Sequence, residues 1–402
     1  MLHCGNEVAY LNRADAMDIA DLRIALVTGN YNMVRDGPTQ ALNRLVGYLL
    51  RHGAAVRVFA PTVAKPQVEA TGELISVPSF AIPGRDEYRF PLGLYGEAGR
   101  KFREFRPNVI QVASPDFAAR QAAKWGRDHG VPVLASVHTR FETYPQYYGL
   151  KFLESTIEGW LRTFYRRCDA LMAPADSMRD VLLEQGMHQD IGIWSRGVDR
   201  SIFNPGRRSL EWRRLHGIAN DEVVVGFLGR VVMEKGLDVF GDTIDELARR
   251  RVKHRVLVIG DGPARDWFAA RLPDAIFVGL QVGADLGRAV ASMDVLFNPS
   301  ITETFGNVTL EAMASGVPVL AARATGSDML VEDGVSGRLI EPGDTSAFAA
   351  ALETYARQPA LREAHGAAGA ARSLLFDWDR INRAMAETYL RLIQQRQPTD
   401  TA

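Results

Sequence analysis

The sequence predicts an α/β protein made of two Rossmann-like, doubly wound domains. Three observations lead there. Short apolar runs alternate with stretches of helical periodicity, the arrangement of a parallel sheet covered on both faces. The alternation runs through once and restarts at VVVGFLG, residues 223–229. A chain of 402 residues, 47% of them apolar, exceeds what a single core serves, so two domains are expected.

Residues 1–21 form a nondescript tail, and RIALV at 23–27 opens the first sheet as a buried strand. A polar turn follows, then a helix carrying Leu42, Leu45, Val46, Leu49 and Leu50 at helical spacing and ending near Gly53. AVRVFAP completes a strand-helix-strand unit, and VIQVA, VPVLASVH and ALMAP at 109–113, 131–138 and 170–174 continue the sheet. The first domain is thus placed at 22–199. RGVDRSIFNPGRRS at 196–209, rich in Arg, Gly and Pro, reads as the interdomain linker. In the second domain, 200–375, VVVGFLG is followed by RVLVIGDGP, AIFVGLQ and MDVLFNPS. The last helix, 376–396, places Trp378, Ile381, Met385, Tyr389 and Leu392 on one face and is expected to pack on the first domain.

Charge is balanced, 47 basic against 48 acidic residues, which argues against a nucleic-acid partner. Cys4 and Cys168 lie far apart without metal-ligand spacing, so neither a disulfide framework nor a zinc site is expected. No apolar run approaches the roughly 20 residues that cross a bilayer, and the start of the chain has no secretory pattern. A cytoplasmic protein is expected, in peripheral contact with the inner face of the cell membrane at most.

The residues suited to chemistry cluster after strands. Glu303 and Glu311, separated by seven residues, follow MDVLFNPS, which delivers Glu303 to the carboxyl edge where open α/β sheets bind ligands. Glu311 is placed about two turns into the next helix. The backbone N–H groups of Phe305, Gly306, Asn307 and Val308 open that helix and suit an anionic group, while ionised glutamates suit sugar hydroxyls. Taken alone, such a pair would be solvated helix residues; the strand, glycine and proline around it point to a site. Arg230 and Lys235, five residues apart in GRVVMEKG, can converge on one diphosphate and hold the charge that builds there as a glycosyl–phosphate bond breaks. No Asp-x-Asp metal pair lies between strands, so no metal and no cofactor is expected.

His138 ends a first-domain strand and is expected to face the cleft, with Arg140 and Tyr144 beyond it on the acceptor side. Gly37, in the loop Asp36-Gly37-Pro38-Thr39 that opens the first helix, is a candidate donor-phosphate contact. Gly260 and Gly279 mark turns near the nucleotide base.

These stretches, spanning about residues 23 to 395, resemble the retaining glycosyltransferases of family 4, the GT-B group. They are similar in particular to the branch that includes GDP-mannose-dependent α-mannosyltransferases and sulfoquinovosyl-diacylglycerol synthases. The resemblance implies two domains facing across a cleft, with the last helix crossing back to the first. It implies that Glu303 meets the donor sugar, Glu311 the ribose, Arg230 and Lys235 the diphosphate, and His138 the sugar near the reacting centre. It also implies a UDP-sugar or GDP-mannose donor and same-face substitution, in which the departing phosphate oxygen takes the proton of the incoming hydroxyl. The sequence departs from the family where Asp36-Gly37-Pro38-Thr39 replaces a Gly-Gly or Asn-Gly-Val loop, and where Gly326-Ser327 replaces Gly-Gly.

A lipid or glycolipid acceptor is expected on that resemblance and on charge: residues 85–167 hold 14 basic and 9 acidic side chains. Arg100, Lys101 and Arg103 interleave with Phe102 and Phe105, and Leu153, Ile157, Trp160, Leu161 and Phe164 share a helical face. Both stretches are candidate contacts with an anionic membrane; both are equally amphipathic helices that can pack on the sheet. The alternative functions are a nucleotide-sugar epimerase or hydrolase of the same fold, and a non-catalytic sugar-nucleotide binding protein.

Overall fold

The structure, a computed structural model, describes residues 17–34, 36–82, 85–138, 154–303 and 305–396. These divide into two compact units. One holds the described residues up to Val137, those within Glu142–Leu171 and those from Asn382 onward; the other holds His138 and Met172–Ile381. The division therefore falls upstream of the stretch 196–209. That stretch is anchored: Val198 and Phe203 lie in the core of the second sheet, and the Val198 N–H donates to Phe376 O at 3.0 Å. Its Arg, Gly and Pro content hides these two apolar anchors.

The first sheet is built from β1 (Arg23–Val27), β2 (Ala55–Ala60), β3 (Glu73–Ser76), β6 (Val109–Val112), β7 (Val133–Ser136), β8 (Ala170–Ala173) and β9 (Ile191–Ile193), in the order β3-β2-β1-β6-β7-β8-β9. β4 (Ser79–Ile82) and β5 (Arg85–Pro91) form a separate antiparallel hairpin. Sequence reading missed β3 and this hairpin, because short strands interrupted by Pro and charged residues carry too little pattern. β1 pairs in parallel with both β2 and β6, with Ile24 opposite Val56 and Val109. β6 and β7 are buried at every position, as a sheet with helices on both faces demands.

Helix α1 (Gly37–Arg51) starts at Asp36, whose side chain accepts from Thr39 N. It buries Leu42, Leu45, Val46 and Leu49 and leaves Leu50 exposed. α2 (Gly96–Phe105), α3 (Phe117–Asp128), α4 (Glu154–Tyr165) and α5 (Asp176–Glu184) follow in turn. Of the last helix, Trp378–Arg396, the residues from Asn382 belong to the first unit. Met385, Tyr389 and Leu392 are buried there. Tyr389 donates to Gln111 Oε1, Gln111 donates to Ser136 Oγ at 3.0 Å, and Arg396 pairs with Asp169 at 2.5 Å. A buried polar chain thus ties the end of the protein to strands β6 and β7.

The second sheet, reached after the short α6 (Leu210–Leu215), has the order β12-β11-β10-β13-β14-β15. Its strands are β10 (Val224–Leu228), β11 (Arg255–Ile259), β12 (Ile276–Gly279), β13 (Val295–Asn298), β14 (Val319–Ala322) and β15 (Gly337–Ile340), all paired in parallel. Alternation sends Val224, Leu257 and Leu296 to one face and Val225, Val256 and Val295 to the other. Helices α7 (Leu237–Arg249), α8 (Arg265–Arg271) and α12 (Thr345–Arg357) cover the second face with Phe240, Phe268 and Phe348. On the first face, α9 (Gly283–Ala291), α10 (Asn307–Ala314) and α11 (Thr325–Leu330) contribute Val290, Leu310 and Leu330, and α13 (Pro359–Ser373) follows α12. Among the described residues no helix is long and apolar enough to cross a membrane.

Glycines let the strand ends meet at the carboxyl edge of this sheet. A Cβ on Gly260, at φ +134°, would lie 1.9 Å from Gly229 O, and one on Gly262 would lie 2.4 Å from Val231 O. Gly279, at φ +68°, would meet nothing. Gly260→Ala should therefore cost at least about 3 kcal/mol in chemical denaturation, combining strain with a backbone clash. Gly279→Ala should cost about 1 kcal/mol from the left-handed conformation alone; equal losses would contradict the packing.

At the corresponding edge of the first sheet, Asp116 caps α3. It accepts from Ser114 Oγ at 2.5 Å and Ala119 N at 2.9 Å, and burial pushes its carboxyl up to about 6. A carboxyl raised above its unfolded value of about 3.9 stabilises the fold at low pH, and the contribution disappears as pH rises through the folded value. Compared with Asp116→Asn, the wild type should lose stability between about pH 4 and pH 7 in urea titrations; parallel curves would exclude a buried titrating carboxyl.

Candidate active site

Strand order reverses between β10 and β13, neighbours in the second sheet although β11 and β12 lie between them in sequence. Such a switch point opens a crevice at the carboxyl edge. The Arg230–Lys235 and Glu303–Glu311 segments both leave from here. After β10, residues Met233–Lys235 form one 3-10 turn, and Gly236 in the left-handed conformation at φ +71° starts α7. A Cβ on Gly236 would lie 3.1 Å from Pro299 O, so this turn rests on the loop that follows β13.

Two polar contacts lock these loops together. Lys235 Nζ donates to Glu303 Oε1 at 2.7 Å, both side chains being mostly buried, and Thr302 Oγ1 donates to Glu234 O at 3.2 Å. Asn298, at the end of β13, holds the loop from within by donating to Thr309 Oγ1 at 3.3 Å and accepting from Ser300 N at 3.2 Å. Arg230 is exposed, and among the described residues its side chain forms no hydrogen bond or ion pair. One cation is thus committed to the glutamate and the other faces solvent.

Helix α10 begins beside this pair. Gly306, at φ +92°, is its N-cap and offers no side-chain acceptor, so among the described residues no N-cap side chain covers the first N–H groups, those of Asn307 and Val308. Val308 Cγ1 lies 3.9 Å from where a Cβ on Gly229 would stand, which brings the helix start against the end of β10. Phe305 is buried against Phe376, so it serves the site through its backbone alone. Glu311 is the fifth residue of α10, just over one turn in rather than two. Gly326 supports the loop from behind, since a Cβ there would lie 2.9 Å from Glu303 O. Gly260 and Gly279 sit at the same edge, joined by Gly260 N donating to Gly279 O at 2.9 Å.

His138 occupies a second buried setting. Its Nδ1 lies 2.8 Å from Arg196 Nη2, its ring meets Trp194 edge-on with centroids 5.5 Å apart, and both His138 and Arg196 are more than nine-tenths buried. Burial, and then the Arg196 charge, hold His138 well below the usual histidine range, so the ring is neutral. Sequence reading missed Arg196 because it sits in the stretch taken for a linker. It missed Thr302 because a loop threonine carries no pattern.

The first unit alters three expectations. At the start of α1, Asp36 already places a carboxylate on Thr39 N at 2.8 Å, and Asn30 Nδ2 donates to that carboxylate at 3.2 Å. Pro38 has no N–H, so Gly37 sits in a poor seat for a phosphate. Phe102 and Phe105 of α2 are buried, with Phe102 packed on Phe59 and Trp125. Arg100 pairs with Glu104 at 2.8 Å and Lys101 with Glu97 at 2.9 Å, leaving Arg103 exposed. On the apolar face of α4, Leu161 and Phe164 are buried, Ile157 is half-buried and Trp160 is exposed. Helix α2 spends its apolar face on the core, and α4 spends part of its own. Arg140, Tyr144 and Leu153 lie outside the described residues.

Comparison with known proteins fits this architecture. Residues 35–202 match the family described as Glycosyltransferase Family 4, and residues 222–358 match Glycosyl transferases group 1. A GDP-mannose-dependent alpha-mannosyltransferase of Corynebacterium glutamicum is 31% identical over 332 residues, covering 81% of this chain and 78% of that protein. The sulfoquinovosyl transferase SQD2 of Arabidopsis thaliana is 30% identical over 350 residues, 85% of this chain and 68% of that protein. An alpha-monoglucosyldiacylglycerol synthase of Streptococcus pneumoniae is 23% identical over 355 residues, 85% and 80% of the two chains. In fold, the chain is similar to the sucrose-phosphate synthase of Thermosynechococcus elongatus, with TM-score 0.75 and 20% identity over 92% of this chain and 99% of that one. With two Rossmann-like sheets, a switch-point glutamate pair and these relatives, the chain belongs to glycosyltransferase family 4, on the GT-B fold.

Proposed function

We propose that the protein moves a hexosyl group from a nucleotide diphosphate sugar to a hydroxyl acceptor, with retention of configuration and without a metal ion. The observation that carries this reading is the 2.7 Å contact between Lys235 and Glu303 at the second switch point, next to the start of α10. A fixed cation and the N–H groups that open a helix suit the diphosphate, and the glutamate beside them suits the sugar. The relatives' names, a GDP-mannose-dependent enzyme among them, support a nucleotide-sugar donor.

In this mechanism the bond between the anomeric carbon and the phosphate oxygen breaks, and its electron pair leaves with the diphosphate. The acceptor oxygen bonds the same face of that carbon. Its proton passes to the departing phosphate oxygen and then to solvent. Lys235, Arg230 and the N–H groups of Asn307 and Val308 stabilise the charge on the leaving group, and Glu303 orients the sugar through its hydroxyls. In this proposal the cations of the chain itself carry the role that a metal ion would otherwise have.

A lipid or glycolipid is the acceptor class this reading favours, supported by the diacylglycerol enzyme among the relatives and the basic excess of residues 85–167. The packing of α2 buries Phe102 and Phe105, and that of α4 buries Phe164 and leaves Trp160 as its exposed aromatic, so membrane association would rest mainly on charge. Purified protein given UDP- and GDP-sugars with a lipid extract should form an α-linked glycolipid, seen by mass spectrometry and NMR, at an unchanged rate in EDTA. Inversion at the anomeric carbon, or loss of activity in EDTA, would overturn the corresponding part of the proposal.

Glu303→Ala should lower kcat by about a hundredfold or more while leaving UDP or GDP affinity by calorimetry within about threefold, because the lost contact is with the sugar. Free sugar in place of transfer product would favour a hydrolase. Unchanged turnover in this variant would remove Glu303 from the site.

A further inference from the structure

We infer that Arg196 is the positioning residue of His138, donating to Nδ1 and fixing the imidazole as the neutral tautomer whose only hydrogen is on Nε2. The role of His138 at the donor sugar rests on the function proposed above; the state of the ring follows from the contact itself. Arg196 Nη2 and His138 Nδ1 are 2.8 Å apart. A guanidinium has donors and no acceptor, so the histidine nitrogen must accept. A nitrogen that accepts carries no proton, and a neutral imidazole then carries it on the other one.

Arg196 is held in its turn. Its Nη1 donates to Trp194 O at 3.1 Å and Ser195 O at 3.3 Å, and its guanidinium carbon lies 5.2 Å from the centre of the Trp194 ring. Trp194 is buried, donates its N–H to β8 at Ala173 O, 2.8 Å away, and meets the edge of the imidazole. The Arg196 hydrogen bond and the Trp194 ring both orient the imidazole. The low proton affinity that burial and Arg196 impose on His138 agrees with this arrangement.

The functional consequence concerns what His138 can do. Its Nδ1 lone pair is engaged and its Nε2 bears hydrogen, so the ring has no lone pair left to accept a proton from the attacking hydroxyl. It acts as a hydrogen-bond donor, which matches a hydroxyl oxygen of the donor sugar. The proton of the acceptor must then leave by another route, as it does when the departing phosphate oxygen takes it.

Long-range proton–nitrogen NMR on the full chain, with histidine ring nitrogens labelled and the signal assigned by its absence in His138→Asn, tests this directly. At pH 7 the wild type should show a protonated Nε2 and an unprotonated Nδ1. A protonated Nδ1, in the other tautomer or in the imidazolium, would overturn the inference whether or not any variant folds. Arg196→Lys should keep the tautomer and most of kcat. Arg196→Met should lose the single tautomer and about tenfold in kcat with donor KM little changed, the effect of one misplaced hydrogen bond in the transition state. A Met variant with the wild-type spectrum and rate would equally overturn it. Full transfer activity in His138→Asn would instead remove the sugar contact from the proposed function, while the ring spectrum still reads the Arg196 contact.

Discussion

Everything at the second switch point depends on how closely separate loops are allowed to approach. The end of β10 passes under Gly260 and Gly262 at distances no Cβ tolerates, Gly236 lies on Pro299, and Gly326 lies on Glu303. A side chain at Gly260 or Gly262 would collide with backbone and force the loops apart, while one at Gly236 or Gly326 would press on the loop it rests against. The Lys235–Glu303 contact at 2.7 Å has no slack for such movement, because a salt bridge of that geometry is lost as its partners separate. The glycines are thus part of the site although they bring no functional group. They let backbone replace side chain where charged groups from two different strands must converge.

This explains which parts of the protein were legible in the sequence. Strands such as VIQV and VVGFL are continuous apolar runs because both of their faces are covered, and such runs stand out. Glu303 and Lys235 were legible because each directly follows such a strand. The hairpin 79–91 was not: Arg, Asp, Glu and Pro obscure its alternation, and its pairing is set by contacts such as Phe80 with Phe90. Arg196 was hidden for a different reason. Arginine in a Gly- and Pro-rich stretch reads as solvent-facing, and only a tertiary contact 58 residues distant reveals a buried donor. The amphipathic helices α2 and α4 carried a pattern with two physical meanings, bilayer or core. Periodicity cannot separate them, and the burial of Phe102, Phe105, Leu161 and Phe164 does.

The two polar settings of the second unit divide the electrostatic work. The switch point gathers positive potential from Lys235, Arg230 and the start of α10, with the Glu303 carboxylate held against Lys235. The His138 setting is neutral at the ring and positive behind it, since Arg196 is buried at 2.8 Å. A proton on that imidazole would set two cations against each other in a medium of low polarisability. Both settings therefore disfavour further positive charge and welcome negative charge, which suits a reaction whose leaving group gains it. In a transfer that proceeds without a protonated histidine, this bias costs nothing.

The Lys235–Glu303 pair also governs how substitutions there must be interpreted. Removing Lys235 alone takes away the proposed diphosphate contact and leaves Glu303, a mostly buried carboxylate, without its cation. The loss then includes the penalty of an uncompensated charge, and the glutamate is no longer held in place by its cation. Removing Glu303 alone leaves Lys235 unneutralised, so under the proposed function the remaining site is more positive and keeps its hold on a nucleotide diphosphate while failing at transfer. Single substitutions at these two positions are therefore not independent measures of two roles. The coupling between them, obtained from the double variant, separates the contact each makes with substrate from the contact they make with each other.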